Sequence, residues 1–211
     1  MKKGLFITFE GADGSGKTTQ ANLLVDYCKK SGFKVLNTRE PGGTRVSEKI
    51  REVILDPKSN EIAATTEALL YAASRAQHVA EIIKPALENC DFVICDRFMD
   101  SSIAYQGYGR LLGDQVRMIN EFAVQGLIPD LTFFIDVKPS DGLARIKKNG
   151  ALDRIEKETI SFHERVYAGY MEIIEQNRKR FVVVDGTKSI DSLSNEIKKL
   201  FMEWLSLCKR D

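Results

Sequence analysis

Soft metal ligands are scarce in this sequence: it has 2 histidines and 4 cysteines in 211 residues. His78 and His163 are far apart, and no two of Cys28, Cys90, Cys95 and Cys208 are spaced C-x-x-C. That inventory argues against a zinc site. The cysteines read instead as buried free thiols in a reducing cytoplasm. Long apolar runs are lacking too. Stretches such as Phe181-Val182-Val183-Val184 are too short to cross a bilayer. Met1-Lys2-Lys3 leads into an apolar stretch, but Glu10 and Asp13 interrupt it, so no secretory signal is expected. Charge of one sign is missing as well. Lys and Arg number 31 against 30 Asp and Glu, a net charge of +1. Bulk coating of nucleic acid is thereby disfavoured, although a local cluster of arginines is not. Neither a membrane nor a nucleic acid is an expected partner.

What is present is ordinary globular material, 43% hydrophobic and 29% charged. A chain this long buries most of its apolar surface without staples. At roughly 100–200 residues per domain, residues 1–211 form a single domain. Short apolar runs over 5–9, 33–38, 91–95, 131–135 and 181–184 read as strands. Amphipathic helices are expected between them. One covers 17–31, closed by Gly32, and a second is marked by Val46, Ile50, Val53 and Ile54. Another covers 63–84, with Leu69, Leu70, Ala73, Val79, Ile82 and Ile83 inward. A fourth covers 114–126, with Asp114 as N-cap and Val116, Ile119, Phe122 and Ala123 on its inner face. Pro139-Ser140 opens another, 159–179 is helical, and the last carries Ile190, Leu193, Ile197, Leu200, Phe201, Trp204, Leu205 and Cys208 at helical spacing. A loop rich in Ser, Gly and Tyr follows Asp96, and 147–158 is a polar, basic segment free to move. Continuous apolar strands alternating with helices imply an α/β fold, a parallel sheet covered on both faces.

The chemistry starts at Gly11-Ala12-Asp13-Gly14-Ser15-Gly16-Lys17-Thr18, which fits G-x-x-x-x-G-K-[S/T] with a strand before it and a helix after. Backbone N–H groups and the helix N-terminus suit such a loop to the phosphates of a nucleoside triphosphate. Lys17 would reach the β- and γ-phosphates and Thr18 would hold magnesium. Asp96, at a strand end, faces the same sheet edge and suits a magnesium-bound water or an acceptor. Arg97 beside it can bridge phosphates. Arg39 ends another strand, while Arg51, Arg75 and Arg110 complete a candidate set for an anionic acceptor. Other phosphate-loop proteins fit this much: a deoxynucleoside or shikimate kinase, or a nucleotide-binding switch or regulatory ATPase. A GTPase would need Asn-Lys-x-Asp, which is missing. A motor ATPase usually has two adjacent acids where this chain has Asp96-Arg97.

Five stretches together resemble the bacterial thymidylate kinase family. They are Phe9-Glu10-Gly11, Thr38-Arg39-Glu40-Pro41-Gly42-Gly43, Ala72-Ala73-Ser74-Arg75, Asp96-Arg97-Phe98 with Ser101-Ser102-Ile103-Ala104-Tyr105-Gln106-Gly107, and Leu152-Asp153-Arg154-Ile155-Glu156. The resemblance runs from about residue 5 to residue 185. It implies a P-loop kinase fold with a five-stranded parallel sheet and a short lid over 147–158. It also implies ATP-dependent phosphorylation of dTMP, with Mg2+, by a cytoplasmic homodimer formed through helices flanking the sheet. Carried over, Gly11 to Thr18 and Arg145 would bind ATP. Asp13, Arg39, Arg51, Tyr71, Arg75, Arg97, Ser102, Tyr105 and Gln106 would bind dTMP. Thr18 and Asp96 would hold the metal, and Lys17, Asp96, Arg97 and Arg154 would act in catalysis. Some members carry an arginine where this chain has Gly14. The lid would then supply the cation here, as in the lid-arginine subclass, from Arg154, with Lys147 and Lys148 also available.

Overall fold

The computed structural model describes residues 4–148 and 152–208. Residues 149–151 of the expected lid, and Met1-Lys2-Lys3, lie outside the described residues. Five strands, β1 (Leu5–Glu10), β2 (Val35–Arg39), β3 (Phe92–Asp96), β4 (Leu131–Asp136) and β5 (Phe181–Asp185), form one parallel sheet in the order β2-β3-β1-β4-β5. The helices are α1 (Lys17–Lys30), α2 (Arg45–Leu55), α3 (Ala64–His78), α4 (Lys84–Asn89), α5 (Met99–Ser102), α6 (Gln115–Ala123), α7 (Pro139–Lys147), α8 (Ile160–Gln176) and α9 (Ile190–Cys208). The fold is the α/β arrangement expected. From β1 the chain crosses to the edge strand β2, comes back to place β3 between the two, then passes to the other side of β1 for β4 and β5. The carboxyl end of β1 is thus the switch point where such sheets bind ligands.

Strand pleating divides the core in two. Ile7, Phe9, Ile94 and Phe133 pack with Leu24, Ile197 and Phe201 of α1 and α9. Phe6, Val93, Cys95 and Phe134 pack with Val79, Ile83, Phe162 and Tyr170 on the opposite face. Both faces are covered, which is why the strands read as unbroken apolar runs.

Four expectations are corrected. The helix expected over 63–84 runs on through a π-helical turn, Val79–Ile83, into α4. The presumed loop after Asp96 is helical: α5 leads directly into a π-helical stretch, Ile103–Gly109, that is almost wholly buried. Packing rather than propensity makes it helical. A Cβ on Gly109 would lie 2.7 Å from the Phe162 ring, so its glycine allows close contact with α8. The inner faces expected over 63–84 and 114–126 hold only in part: Val79, Ile83, Val116 and Ala123 are buried, but Leu69 is 51% and Phe122 87% exposed. Ala68 and Ala72 take the inward places on α3, leaving Leu69, Ala73, Met118 and Phe122 as an outward apolar surface. Finally, Cys28 and Cys95 are buried, but Cys208 is exposed at the end of α9. Asp114 occupies the N-cap position of α6 without a capping side-chain bond.

Candidate active site

β1 ends at Glu10 and α1 begins at Lys17, so the glycine loop between them closes over the sheet edge. Gly14 has φ +74°, and a Cβ there would lie 2.2 Å from the carbonyl oxygen of Gly142 in α7. A Cβ on Gly142 would in turn lie 2.2 Å from the Asp13 carbonyl oxygen. Loop and helix meet backbone to backbone, an approach only glycine permits. Lys17 Nζ donates to the Ala12 carbonyl at 2.7 Å and to Ser15 Oγ at 3.3 Å. Burial, with Arg97 nearby, lowers the Lys17 pKa to about 8. Thr18 Oγ1 donates to Asp96 Oδ2, while Asp96 Oδ1 is buried with no hydrogen-bond partner among the described residues.

Arg97 leaves β3 in the left-handed region, at φ +67°. Such a conformation costs a side-chain-bearing residue roughly 1–2 kcal/mol. Glu10 braces the turn, accepting from Phe98 N at 2.8 Å, Ser101 Oγ at 2.6 Å and Tyr170 OH at 2.9 Å. Burial, with Asp100 near, raises the Glu10 pKa to about 7. Arg97 pairs with Asp13, and its guanidinium lies 5.0 Å from the centre of the Tyr105 ring. Tyr105 OH donates to the other Asp13 oxygen at 2.7 Å. Burial alone would raise the Asp13 pKa, but Arg97 and Lys17 outweigh it and keep the carboxyl below its ordinary value.

Arg39 and Arg51 converge on one atom, donating to the Pro41 carbonyl at 2.8 and 2.9 Å. Glu48 pairs with Arg39 at 3.0 Å. Two guanidiniums on one carbonyl oxygen make a natural seat for an anion. Arg75 is fully buried and largely spent on structure. It donates to Glu40 Oε2 at 2.7 Å, Ser102 Oγ at 2.9 Å and the Phe98 carbonyl at 3.0 Å, and also to Asn120 Oδ1. One of its five N–H groups is left for a ligand. His78 Nδ1 lies 3.0 Å from the other Glu40 oxygen.

A cleft of about 860 Å3 joins these groups. Its walls carry Asp13 to Thr18, Arg39, Arg51, Tyr71, Arg75, Asp96, Arg97, Ser102, Tyr105, Gln106 and Arg145. Arg145 donates to the Gly186 carbonyl at 3.1 Å, at the end where Gly186, Lys188 and Ile190 also face the cleft. Among the described lid cations, Lys148 reaches the cleft and Lys147 is exposed. Arg154 is neither in the cleft wall nor on a solvated turn. It is buried, donating to the Ile54 carbonyl at 2.7 Å and to Glu67 Oε2 at 2.7 Å. The basic segment is thus anchored at this point rather than loose. Arg110 is held by Glu67 and Glu158 rather than presented to the cleft.

Sequence reading missed Glu10, Glu40 and Glu67 as organisers. An acid within an apolar strand was a usable signal for Glu10, since buried carboxylates are paired. Glu67 gave none, because an acid on an amphipathic helix ordinarily faces water.

Comparison with known proteins gives the same picture. The family model "Thymidylate kinase" matches residues 9–197. The thymidylate kinase of an Exiguobacterium strain is 51% identical over 203 residues, covering 96% of each chain. That of Lactobacillus delbrueckii subsp. bulgaricus is 54% identical over 195 residues, covering 89% of this chain and 91% of its own. The crystal structure of thymidylate kinase from Ehrlichia chaffeensis superimposes with a TM-score of 0.76 at 35% identity, over 95% of this chain and 99% of that one. Agreement of sequence, family model and fold along nearly the whole length means that this chain belongs to the thymidylate kinase family.

Proposed function

We propose that this chain transfers the γ-phosphoryl group of ATP to dTMP, giving dTDP and ADP, as a single P-loop nucleoside monophosphate kinase domain over residues 1–211. One observation carries the reading: a single cleft runs from the phosphate loop to the paired guanidiniums of Arg39 and Arg51. A donor triphosphate and an anionic acceptor can therefore meet in one cavity, and phosphoryl transfer depends chiefly on such positioning and charge.

In this reading Gly11 to Thr18 cradle the ATP phosphates and Arg145 lies beside the adenine. Arg39, Arg51 and Arg97 hold the acceptor phosphate. Asp13 and Tyr105 face the sugar, Tyr71 stacks on the base, and Ser102, Arg75 and Gln106 line its polar edge. The orphaned Asp96 Oδ1 beside the Thr18 hydroxyl suits a hard cation that keeps most of its water. Thr18 and Asp96 would hold Mg2+, which when bound neutralises charge on the donor phosphates. Lys17 adds its charge to the donor phosphates, and Arg97 joins the two halves of the site through Asp13.

Gly14 leaves the phosphate loop without an arginine, which favours the lid-arginine subclass. Arg154 would leave Glu67 as the lid closes and reach the transferring group. The apolar surface of Leu69, Ala73, Met118 and Phe122 supports a homodimer through α3 and α6. The proposed place of action is the cytoplasm, and no described helix is long and apolar enough to cross a membrane.

The test is an ADP-release assay with dTMP, dUMP, dCMP and thymidine. ATP-dependent turnover of dTMP, with thymidine inert for want of a phosphate, is expected. No turnover of dTMP, or equal turnover of thymidine, overturns the reading.

A further inference from the structure

We infer that Glu67 is a positioning residue: it fixes the direction of the Gln106 amide and thereby restricts the acceptor to a base bearing an imide N–H. The inference rests on the acceptor being dTMP, as proposed above. Glu67 is fully buried on α3, and Gln106 is almost fully buried in the helical stretch that follows α5. Gln106 Nε2 donates to Glu67 Oε1 at 2.9 Å. Arg110 grips both oxygens of the same carboxylate, Nε to Oε1 at 3.1 Å and Nη2 to Oε2 at 2.9 Å. Arg154 Nη2 adds a bond to Oε2 at 2.7 Å.

The chemistry leaves one orientation. A carboxylate held by two guanidiniums is ionised and only accepts. Burial would raise the Glu67 pKa, but its bonds to Arg110, Gln106 and Arg154 outweigh burial and lower it. Only the nitrogen arm of the Gln106 amide can therefore face Glu67. A flipped amide would set oxygen against oxygen. The opposite arm, Oε1, is buried and has no hydrogen-bond partner among the described residues, while Gln106 lines the cleft. Leaving a buried acceptor unpaired costs roughly 1–3 kcal/mol, which a ligand N–H relieves.

Thymine and uracil carry a donor at N3, whereas cytosine carries an acceptor there. Facing Gln106 Oε1, cytosine would pair lone pair with lone pair, and sites of this kind discriminate strongly. The device does not sense the thymine methyl group, so dUMP should follow dTMP. Arg110 holds Glu67 through both oxygens, so the orientation survives loss of the Arg154 bond.

The test is Glu67→Gln, which gives position 67 a donor as well as an acceptor and frees the Gln106 amide to turn. We expect the ratio of kcat/KM for dTMP to that for dCMP to fall about tenfold or more. The ATP KM should stay as in the wild type, and dUMP should change in step with dTMP. General damage lowers both acceptors alike and leaves the ratio standing. Because Glu67→Gln unbalances buried charge, Glu67→Gln/Arg110→Gln, which removes one charge of each sign, is measured beside it. An unchanged ratio in either folded variant overturns the inference. Wild-type enzyme that does not prefer dTMP to dCMP overturns the proposed function itself, and the inference with it.

Discussion

Gly14→Ala tests whether the phosphate loop and α7 are assembled as described. Two costs can be worked out. At φ +74°, an L-residue is strained by roughly 1–2 kcal/mol. The new methyl would also lie 2.2 Å from the Gly142 oxygen and 2.8 Å from its carbonyl carbon. Both are backbone atoms, so no rotamer change relieves the clash, and overpacking of this sort costs roughly 1–3 kcal/mol. The sum is about 2–5 kcal/mol, against a total stability on the order of 5–15 kcal/mol. Gly142→Ala is the informative companion. Its Cβ would meet the Asp13 oxygen at 2.2 Å, but Gly142 is helical, so only the steric cost applies. Urea denaturation should rank Gly14→Ala below Gly142→Ala, and both below wild type. Because a shift of about 1 Å in a positioning loop costs about a hundredfold, kcat/KM should fall by that order in both. Gly14→Arg should do no better, so an arginine cannot simply be moved from lid to loop. Wild-type stability and activity in Gly14→Ala would refute the proposed contact.

Arg154→Ala should lower kcat far more than it weakens dTMP binding, because in the proposed lid role its contact would be made chiefly in the transition state; Arg154→Lys should restore only part, lacking the planar fork. Steady-state rates beside direct dTMP titration decide this, and an unchanged kcat in Arg154→Ala sinks the lid role. ATP affinity should be level below pH 8 and weaken above it, approaching tenfold per pH unit, because Lys17 in the free protein loses its proton at about 8 and docking must restore it. Calorimetric titration from pH 7 to about 9.5 checks this, and a flat affinity contradicts it. Glu10 makes stability fall as pH rises. The unfolded carboxyl releases its proton near 4.5 and the folded one near 7, so between these values the native state binds more protons and is penalised, by roughly 3 kcal/mol in all. Urea melts at about pH 5 and about pH 8 should differ in that direction, and Glu10→Gln should flatten the difference; an equal slope in that variant argues against Glu10 as the cause.

The sheet was readable because its central strands β1, β3 and β4 are buried on both faces: Phe133 and Phe134 enter opposite cores, and no polar face interrupts the run. The phosphate loop was readable because its glycines are demanded locally, by φ at Gly14 and by the start of α1. Contacts between distant segments were not. Tyr105 and Gln106 were singled out, but their helical setting depends on α8 packing against Gly109, more than 50 residues later. Arg75 and Arg154 were noticed as cations, yet nothing near them in sequence announces Glu40, Asn120 or Glu67 as partners. Phe122 misled for the opposite reason: periodicity reports an apolar face without saying whether the same chain covers it.

Strand register turns the sheet into a ruler. Arg39 is level with Asp96, and Asp96 with Phe9, the residue two before the phosphate loop opens at Gly11. Neighbouring strands lie about 4.8 Å apart, so Arg39 and the root of the phosphate loop are separated by about 10 Å of hydrogen-bonded backbone. No side chain sets that span, and no side-chain exchange will stretch it. A slip of one residue in β2 would not lengthen it either; it would turn Arg39 to the wrong face of the sheet. Redesign of this cleft for a bulkier acceptor therefore has room on α2, α3 and the helical stretch after β3, while the span between Arg39 and the phosphate loop stays fixed by the main chain.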